Sequence, residues 1–284
     1  MTGTTEFVLS SKSGRMSLSG GPHLVGILNV TPDSFYDGGR YADLSAAVAR
    51  AREMFSAGAS WVDVGGMSTR PGSEEIPEEE EIRRGVPVIA ELASTPGGGS
   101  WISIDTYRSS VAECALAAGA SCVNDVSGFS LDPGMCDFAA SANCPVVVNH
   151  MKGAPNTMQA APRYDSLWDE LIQFFEGRME MFIKAGGEES HLIFDPGIGF
   201  GKNPEHNLEI LRGLGRLHSL GRPIFLGVSR KSFIGHLAAS PISPVPPEFR
   251  LPGSLAAAGV AALRGVHFLR VHDVAETAQF LRIF

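Results

Sequence analysis

The chain has 284 residues, of which 44% are apolar and 19% are charged, and its formal net charge is −8. This apolar content is ample for a large core, so a mostly disordered chain is excluded, and the acidic balance argues against a general nucleic-acid binder. No stretch approaches the ~20 apolar residues of a membrane span. The length allows two small domains or one α/β barrel of ~250 residues.

The first part of the chain differs from the rest in composition. It is rich in Ser, Gly and Thr and lacks the apolar run of a signal peptide. We therefore expect a flexible leader over residues 1–22 and one catalytic domain over residues 23–284. The four cysteines form no CxxC pair and have no histidines clustered with them, so reduced, mostly buried thiols are expected rather than a zinc site or a disulfide scaffold.

A repeat reveals the unit of the fold. Ala57–Asp63 (AGASWVD) recurs as Ala118–Asn124 (AGASCVN) and, more loosely, as Arg264–Arg270. Each copy is typical of a helix end, a glycine and a short apolar strand. Further apolar runs without alternation indicate strands buried on both faces. The predicted strands are His23–Val30, Trp61–Gly65, Trp101–Asp105, Cys122–Asp125, Pro145–His150, His191–Asp195, Pro223–Val228 and Phe268–His272.

Segments with a helical period lie between most of these strands. They are predicted at Ser45–Ala57, Glu78–Leu92, Ser109–Ala118, Ser166–Ala185 and Asn207–Leu217. Eight strands alternating with helices in about 260 residues fit a single (β/α)₈ TIM barrel, an α/β fold. A doubly wound sheet is the alternative that the pattern leaves open.

Polar residues follow the end of every predicted strand, where a barrel builds its active site. Long loops rich in Gly, Pro and Ser follow the first two strands, at Thr31–Tyr41 and Met67–Pro77. The strand-end residues are Asn29, Asp63, Asp105, Asn124 with Asp125, Asn149 with His150, Asp195, Ser229 to Lys231, and Arg270 with His272. Carboxylates and amides suit a heterocycle with ring N–H and amino groups, and the cations suit phosphate or carboxylate. The pattern predicts a barrel enzyme for a polar heterocycle that carries an anionic group.

The motifs at these strand ends resemble the signatures of the dihydropteroate synthase family, in the family order. They cover residues 23 to 284 and comprise Gly26–Phe35 (GILNVTPDSF), Asp63–Gly72 (DVGGMSTRPG), Ser103–Thr106, Val123–Asp125, Asp195–Lys202 (DPGIGFGK), Ser229–Ser232 and Arg270–Asp273. The resemblance implies that a pterin pyrophosphate is joined to p-aminobenzoate in folate biosynthesis, with release of pyrophosphate and with the help of Mg²⁺.

The resemblance also implies roles for individual residues. It implies catalytic roles for Asp105, Lys231 and Arg270. The implied pterin-binding residues are Asp63, Asp105, Asn124, Asp195, Phe200, Lys231 and Arg270. Those implied for pyrophosphate are Asn29, Arg70, Arg270 and His272, with Asn29 also the metal ligand. Those implied for p-aminobenzoate are Phe35, Thr69, Pro71, Phe200, Lys231 and Ser232.

The resemblance further implies a homodimer, with no nucleic-acid or membrane partner, in the cytoplasm or, for a eukaryotic folate-pathway polypeptide, in an organelle. One departure is Met67, where the family signature commonly has an acidic residue. Two alternatives remain. A pterin-binding corrinoid methyltransferase would not need Thr69–Pro71 or Ser229–Ser232. The second alternative is a catalytically silent pterin-binding paralogue, against which the intact Asn29, Asp105, Lys231 and Arg270 argue.

Overall fold

The structure is a computed structural model of the chain. It describes residues 7–31, 40–68, 75–95, 101–153, 158–159, 161–239 and 244–284. Two short strands come first, β1 (Val8–Ser11) and β2 (Gly14–Ser17). Eight more follow: β3 (His23–Asn29), β4 (Trp61–Gly65), β5 (Trp101–Asp105), β6 (Cys122–Asp125), β7 (Val146–Asn149), β8 (Leu192–Asp195), β9 (Phe225–Gly227) and β10 (Phe268–Val271).

The later eight strands form one closed parallel barrel. Their hydrogen-bonded order is β8-β7-β6-β5-β4-β3-β10-β9. A parallel bridge between Phe194 and Ile224, together with a 2.9 Å hydrogen bond from the amide of Phe194 to the carbonyl of Pro223, joins the two outer strands. This closure confirms the predicted TIM barrel and shows that the doubly wound alternative is wrong.

Helices follow the barrel strands and cover its outer surface. They are α1 (Arg40–Ser56), α2 (Glu78–Ala93), α3 (Ser109–Ala117), α4 (Met135–Ala142), α5 (Leu167–Lys184), α6 (Pro204–Gly213), α7 (Ser232–Leu237), α8 (Leu251–Leu263) and α9 (Val274–Ile283). The predicted helix Asn207–Leu217 is helical throughout, but it begins three residues earlier, at Pro204, because Asn203 caps α6 by accepting from the amide of His206 at 2.7 Å. From Leu214 onward it continues as a 3₁₀ helix (Leu214–Leu220). Within the described residues, no helix is long and apolar enough to cross a bilayer.

The N-terminal end of the barrel interior is closed by large apolar side chains. Trp61, Trp101, Phe225 and Phe268 are at most 2% exposed, and the ring centroids of Trp61 and Phe268 lie 5.3 Å apart, edge to face. With the N-terminal end filled in this way, polar side chains inside the barrel gather at the C-terminal end.

Within the described residues 7–22, the structure shows order where the sequence predicted a flexible leader over residues 1–22. Strands β1 and β2 pair as an antiparallel hairpin, in which Leu9 lies opposite Met16. Leu9 is 1% exposed, and it packs with Met16 and Leu18 against the aromatic residues at the N-terminal end of the barrel. The sequence did not indicate this hairpin, because its buried apolar side chains are few and are separated by Ser, Gly and Arg.

Candidate active site

Asp63 is the hub of a hydrogen-bonded network inside the C-terminal end of the barrel. Its side chain is fully buried. Oδ2 accepts from Arg270 Nε at 2.6 Å and from Asn124 Nδ2 at 2.9 Å. Oδ1 accepts from the hydroxyl of Ser103, which in turn accepts from Trp61 Nε1 at 2.6 Å. With both oxygens bound by protein groups, Asp63 fixes the orientation of Arg270 and Asn124.

Asp105, at the end of β5, is the second carboxylate on Arg270. Its Oδ2 accepts from Arg270 Nη2 at 2.6 Å. Its Oδ1 is buried, and no described residue donates a hydrogen bond to it. Burial raises the pKa of Asp105 to about 7, and nearby carboxylates such as Asp63 add to the shift while Arg270 opposes it. A buried carboxylate with one unpaired oxygen can stabilise positive charge that develops next to it.

A third carboxylate, Asp195, lies at the end of β8 near Lys231. Its Oδ1 accepts from the amide of Gly197 at 2.7 Å, and burial raises its pKa while Lys231 opposes the shift. Lys231 Nζ donates to the carbonyl of Ile198 and lies 4.6 Å from the centre of the Phe200 ring. Burial lowers the pKa of Lys231 to about 8, with Asp195 opposing the shift. The lysine therefore titrates close to neutral pH.

The ends of β9 and β10 are held together by side chains of the loops that follow them. His272 Nδ1 lies 3.0 Å from the Ser229 hydroxyl, which also accepts from the amide of His272 at 3.2 Å. Arg230 has a left-handed backbone (φ 56°), and its guanidinium donates to both oxygens of Asp273 at 2.9 and 2.5 Å. Of the two adjacent cations in this motif, Arg230 is thus held by a salt bridge and Lys231 is half-buried near Asp195.

Several residues predicted at the strand ends serve the loops instead of the cavity. Asp125 accepts from the amides of Ser127 and Phe129, at 2.8 and 2.7 Å, and so shapes the turn after β6. Asn149 Nδ2 donates to the carbonyl of Val126 at 2.6 Å. These two residues therefore have structural roles at the rim of the barrel.

The remaining predicted site residues fall into two groups. Asn29 and Phe200 are half-buried, and Ser232 is the exposed first residue of α7. A Cβ at Gly65 would lie 3.6 Å from both Asn29 Oδ1 and Asp105 Cβ, so Asn29 belongs to the same end of the cavity as Asp105. Phe35, Thr69, Arg70 and Pro71, with most of the two predicted long loops, lie outside the described residues.

Sequence reasoning assigned no role to two residues that the structure connects to the site. Ser103 links Trp61 to Asp63. Lys202 is 2% exposed and lies 2.8 Å from His150 Nδ1. The available signals were a polar residue inside an apolar strand and a lysine directly after a glycine-rich segment. Neither signal identifies the contact partner, which comes from a distant part of the chain.

The C-terminal end of the closed barrel carries buried carboxylates, an amide and two cations. This arrangement is typical of a barrel enzyme that binds a flat polar heterocycle. Comparison with known proteins narrows this class. The pterin-binding enzyme family matches residues 25–272. The dihydropteroate synthase of Escherichia coli K12 is 44% identical over 262 residues, which are 92% of this chain and 90% of that protein. The chain belongs to the dihydropteroate synthase family.

Solved structures agree with this assignment. A dihydropteroate synthase of Yersinia pestis, in complex with a sulfonamide drug, has a TM-score of 0.89 to this chain at 42% identity, and the match covers 98% of both chains. A dihydropteroate synthase of Xanthomonas albilineans with 4-aminobenzoic acid also has a TM-score of 0.89, at 41% identity, over 98% of this chain and 97% of the other.

Proposed function

We propose that the protein is a dihydropteroate synthase, which joins 6-hydroxymethyl-7,8-dihydropterin pyrophosphate to p-aminobenzoate and releases pyrophosphate and 7,8-dihydropteroate. The observation that carries the proposal is the clamp of Asp63 and Asp105 on Arg270, beside Asn124, Asp195 and Lys231. The clamp joins β4, β5 and β10, so it depends on the closed barrel that the family shares.

The pterin lies against Asp105, Asn124, Asp195 and Lys231 in this proposal. Asp195 accepts from the 2-amino and ring N–H groups through the oxygen that does not bind Gly197. Asp63 contributes to pterin binding indirectly, because it orients Asn124 and Arg270 by accepting a hydrogen bond from each of them. Asp63 and Asp105 fix the plane of the Arg270 guanidinium, and the face of this group stacks on the pterin ring. Phe200 closes the side of the pocket next to Lys231.

Bond formation requires an attack by the neutral aryl amine on the CH₂ group beside the pterin ring. As the C–O bond to pyrophosphate breaks, positive charge develops on that carbon and is shared with the ring. The Asp105 carboxylate stabilises this charge at close range in a buried site. The electron pair of the C–O bond leaves with pyrophosphate, and the amine loses one proton once the new C–N bond has formed. No strong base is needed, because the aryl amine is already neutral when it attacks.

The leaving pyrophosphate is bound by groups at the ends of β3 and β10 and in the loop after β4. Asn29 lies at the end of β3 and Arg270 and His272 at the end of β10, and Arg70, in the loop after β4, lies outside the described residues. The carboxylate of p-aminobenzoate lies near Ser232, in a pocket completed by Phe200 and Lys231 and, outside the described residues, by Phe35, Thr69 and Pro71. Catalytic roles thus fall to Asp105, Lys231 and Arg270.

We propose Mg²⁺ as the cofactor, with Asn29 as its protein ligand. Among the described residues, no three His, Cys, Asp or Glu side chains form a metal cluster. A half-buried amide oxygen beside Asp105 nevertheless fits a Mg²⁺ ion that takes most of its ligands from a diphosphate and water. When bound there, the ion neutralises charge on the leaving group.

The protein is expected to act as a homodimer in the cytoplasm. Leu263 on α8 and Ile283 and Phe284 at the end of α9 are 74%, 85% and 56% exposed, which is unusual for large apolar side chains. Substitutions Leu263→Asp and Ile283→Asp should shift the mass measured by analytical ultracentrifugation toward a monomer, whereas Leu131→Asp, on another face, should not. All four cysteines are unpaired, as suits a reducing compartment.

Pyrophosphate release tests the proposed reaction. The protein is incubated with the pterin pyrophosphate, p-aminobenzoate and Mg²⁺, and pyrophosphate and dihydropteroate are measured. Asp195→Asn should lose most of this activity, and Asp137→Asn, at an exposed position of α4, should retain it. A wild-type protein that releases no pyrophosphate, under conditions in which an established synthase does, would contradict the proposal.

A further inference from the structure

A lysine that plays no part in the proposed chemistry is buried behind the substrate pocket. Lys202 is 2% exposed, and its Nζ lies 2.8 Å from His150 Nδ1, 3.3 Å from the His150 carbonyl oxygen and 3.0 Å from that of Phe200. Among the described residues, no carboxylate forms an ion pair with it. Burying a lysine without such a partner costs free energy, so its contacts call for an explanation.

Protonation does not change the two contacts to carbonyl oxygens. Burial lowers the pKa of Lys202 well below its ordinary value, with Asp195 opposing the shift. Burial and the nearby lysine lower the pKa of His150 to about 2, so the imidazole is neutral. Whether Nζ is an amine or an ammonium, it has enough N–H groups to donate to the carbonyls of both His150 and Phe200.

These two carbonyls belong to different parts of the chain. The glycine segment (Gly197–Gly201) packs backbone against backbone on the residues that follow β7. A Cβ at Gly197 would come within 1.9 Å of the His150 carbonyl oxygen, and one at Gly201 within 2.2 Å of that of Lys152. Both glycines also have positive φ, at 68° and 64°. Lys202 therefore bonds the glycine segment to the strand end on which it rests.

The opposite side of the glycine segment contacts the proposed substrate groups. The Ile198 carbonyl accepts from Lys231 Nζ, and the Phe200 ring lies 4.6 Å from the same atom. The amide of Gly197 donates to Asp195 at 2.7 Å. A shift of the segment would thus move both Lys231 and Asp195 away from their positions.

We propose that Lys202 is a positioning residue: by binding the carbonyl oxygens of His150 and Phe200, it holds the glycine segment in the conformation that orients Lys231 and Asp195 toward the pterin. The inference rests on the proposed function, because it concerns the same pocket. Lys202 has no contact with the substrates in this arrangement. Its loss should therefore weaken pterin binding more than it slows the chemical step.

Two substitutions distinguish the effect of the Lys202 hydrogen bonds from the effect of burying its side chain. Lys202→Met keeps most of the apolar stem and removes every donor, and Lys202→Gln retains an N–H donor on a side chain that is one bond shorter. We expect the KM for the pterin pyrophosphate to rise about 10-fold in Lys202→Met and by an intermediate factor in Lys202→Gln, while kcat changes less than about 3-fold. The dissociation constant of the pterin substrate, measured by calorimetry without p-aminobenzoate, should rise by a similar factor.

Lys152→Gln is the matched control. Lys152 follows the same strand end, but its side chain is 42% exposed and its Nζ pairs with Glu170 at 2.6 Å on the surface. The KM of the Lys152→Gln variant for the pterin pyrophosphate should stay at the wild-type value. If Lys202→Met does not fold, Lys202→Gln decides the question.

Wild-type KM and pterin affinity in folded Lys202 variants would overturn the inference, even with a lowered melting temperature, because Lys202 would then serve stability alone. A fall in kcat with an unchanged KM would overturn it as well. Should the wild-type protein bind the pterin but release no pyrophosphate, the proposed function fails, and the dissociation constants still test the role of Lys202.

Discussion

The two ends of the barrel interior are built on the same strands and have opposite chemistry. Near the strand starts, Trp61, Trp101 and Phe268 fill the interior, and Leu9 of the N-terminal hairpin covers them. Near the strand ends, carboxylate, amide and guanidinium groups bind one another around Arg270. The difference separates two tasks: the aromatic end contributes apolar burial and stability, and the polar end holds charges whose burial is costly.

A hydrogen-bonded chain of side chains connects the two ends. Trp61 donates to Ser103, Ser103 donates to Asp63, and Asp63 accepts from Arg270. Substitutions that avoid this chain should affect either stability or turnover, but not both.

Phe268→Ala should show the largest effect at the aromatic end. The ring is fully buried between Trp61 and Phe225, so its removal should cost about 3–5 kcal/mol in the free energy of unfolding, measured by denaturant titration. The fraction that stays folded at low temperature should retain a near-normal kcat. Phe249→Ala, at a position 69% exposed, is the control and should change the free energy of unfolding little. A large loss of kcat in folded Phe268→Ala would contradict the separation.

Asp105→Asn is the corresponding substitution at the polar end. Asparagine keeps the shape and can still accept from Arg270, but it removes the charge that stabilises the developing cation. Turnover, measured as pyrophosphate release at saturating substrates, should fall on the order of 10²-fold while pterin binding is largely kept. Normal turnover would show that Asp105 is not the cation stabiliser.

Leu9→Ala should have a smaller effect, because the hairpin packs on the barrel from one side only. We expect a loss of about 2 kcal/mol in the free energy of unfolding and no change in KM for either substrate. Val8→Ala changes the neighbouring residue, which is 37% exposed, and should be nearly neutral. Equal losses in the two variants would mean that the hairpin does not cover the barrel as a specific part of the core.

The strands were predictable from sequence and the hairpin was not, for the same physical reason. Strands such as β4 and β5 are buried on both faces, so every residue in WVDVG and WISID must suit the interior and the run is conspicuous. In β1 and β2 only Leu9 and Met16 are buried, and the other residues of these strands are Val, Ser, Gly and Arg. Four-residue strands with one buried face leave too short a pattern to recognise.

In the candidate site, residue types and strand-end positions were predictable, but partners were not. Asp63 and Asp125 are both carboxylates in short apolar strands, yet Asp63 binds Arg270, 207 residues away, and Asp125 binds amides within four residues. Sequence spacing does not distinguish a side chain directed into the barrel from one that shapes a turn. That choice depends on strand register, which places Asp63 opposite Ser103 and Asp105 opposite Asn124.

The pH profile is the subtlest test of the polar end. Asp105 must be ionised to stabilise the cation, and burial raises its pKa to about 7, so activity should increase as the pH rises through that value. Lys231 must be protonated to bind anionic substrate groups, and burial lowers its pKa to about 8, so activity should fall as the pH rises further. The kcat/KM for the pterin substrate should therefore follow a narrow bell with its maximum between these values.

Two variants show which residue causes each limb of the bell-shaped pH profile. Lys231→Arg keeps a positive charge at high pH and should remove the alkaline limb, whatever activity remains. Asp105→Asn should remove the acid limb from its residual activity. Because Asp105 acts on Lys231 directly and both groups interact with Arg270, the limb that remains in each variant should also move slightly, which would not occur if the groups titrated independently. Because kcat/KM reports the free enzyme, a flat profile between about pH 6 and pH 9 would instead mean that neither group controls activity by titrating in the free enzyme over that range.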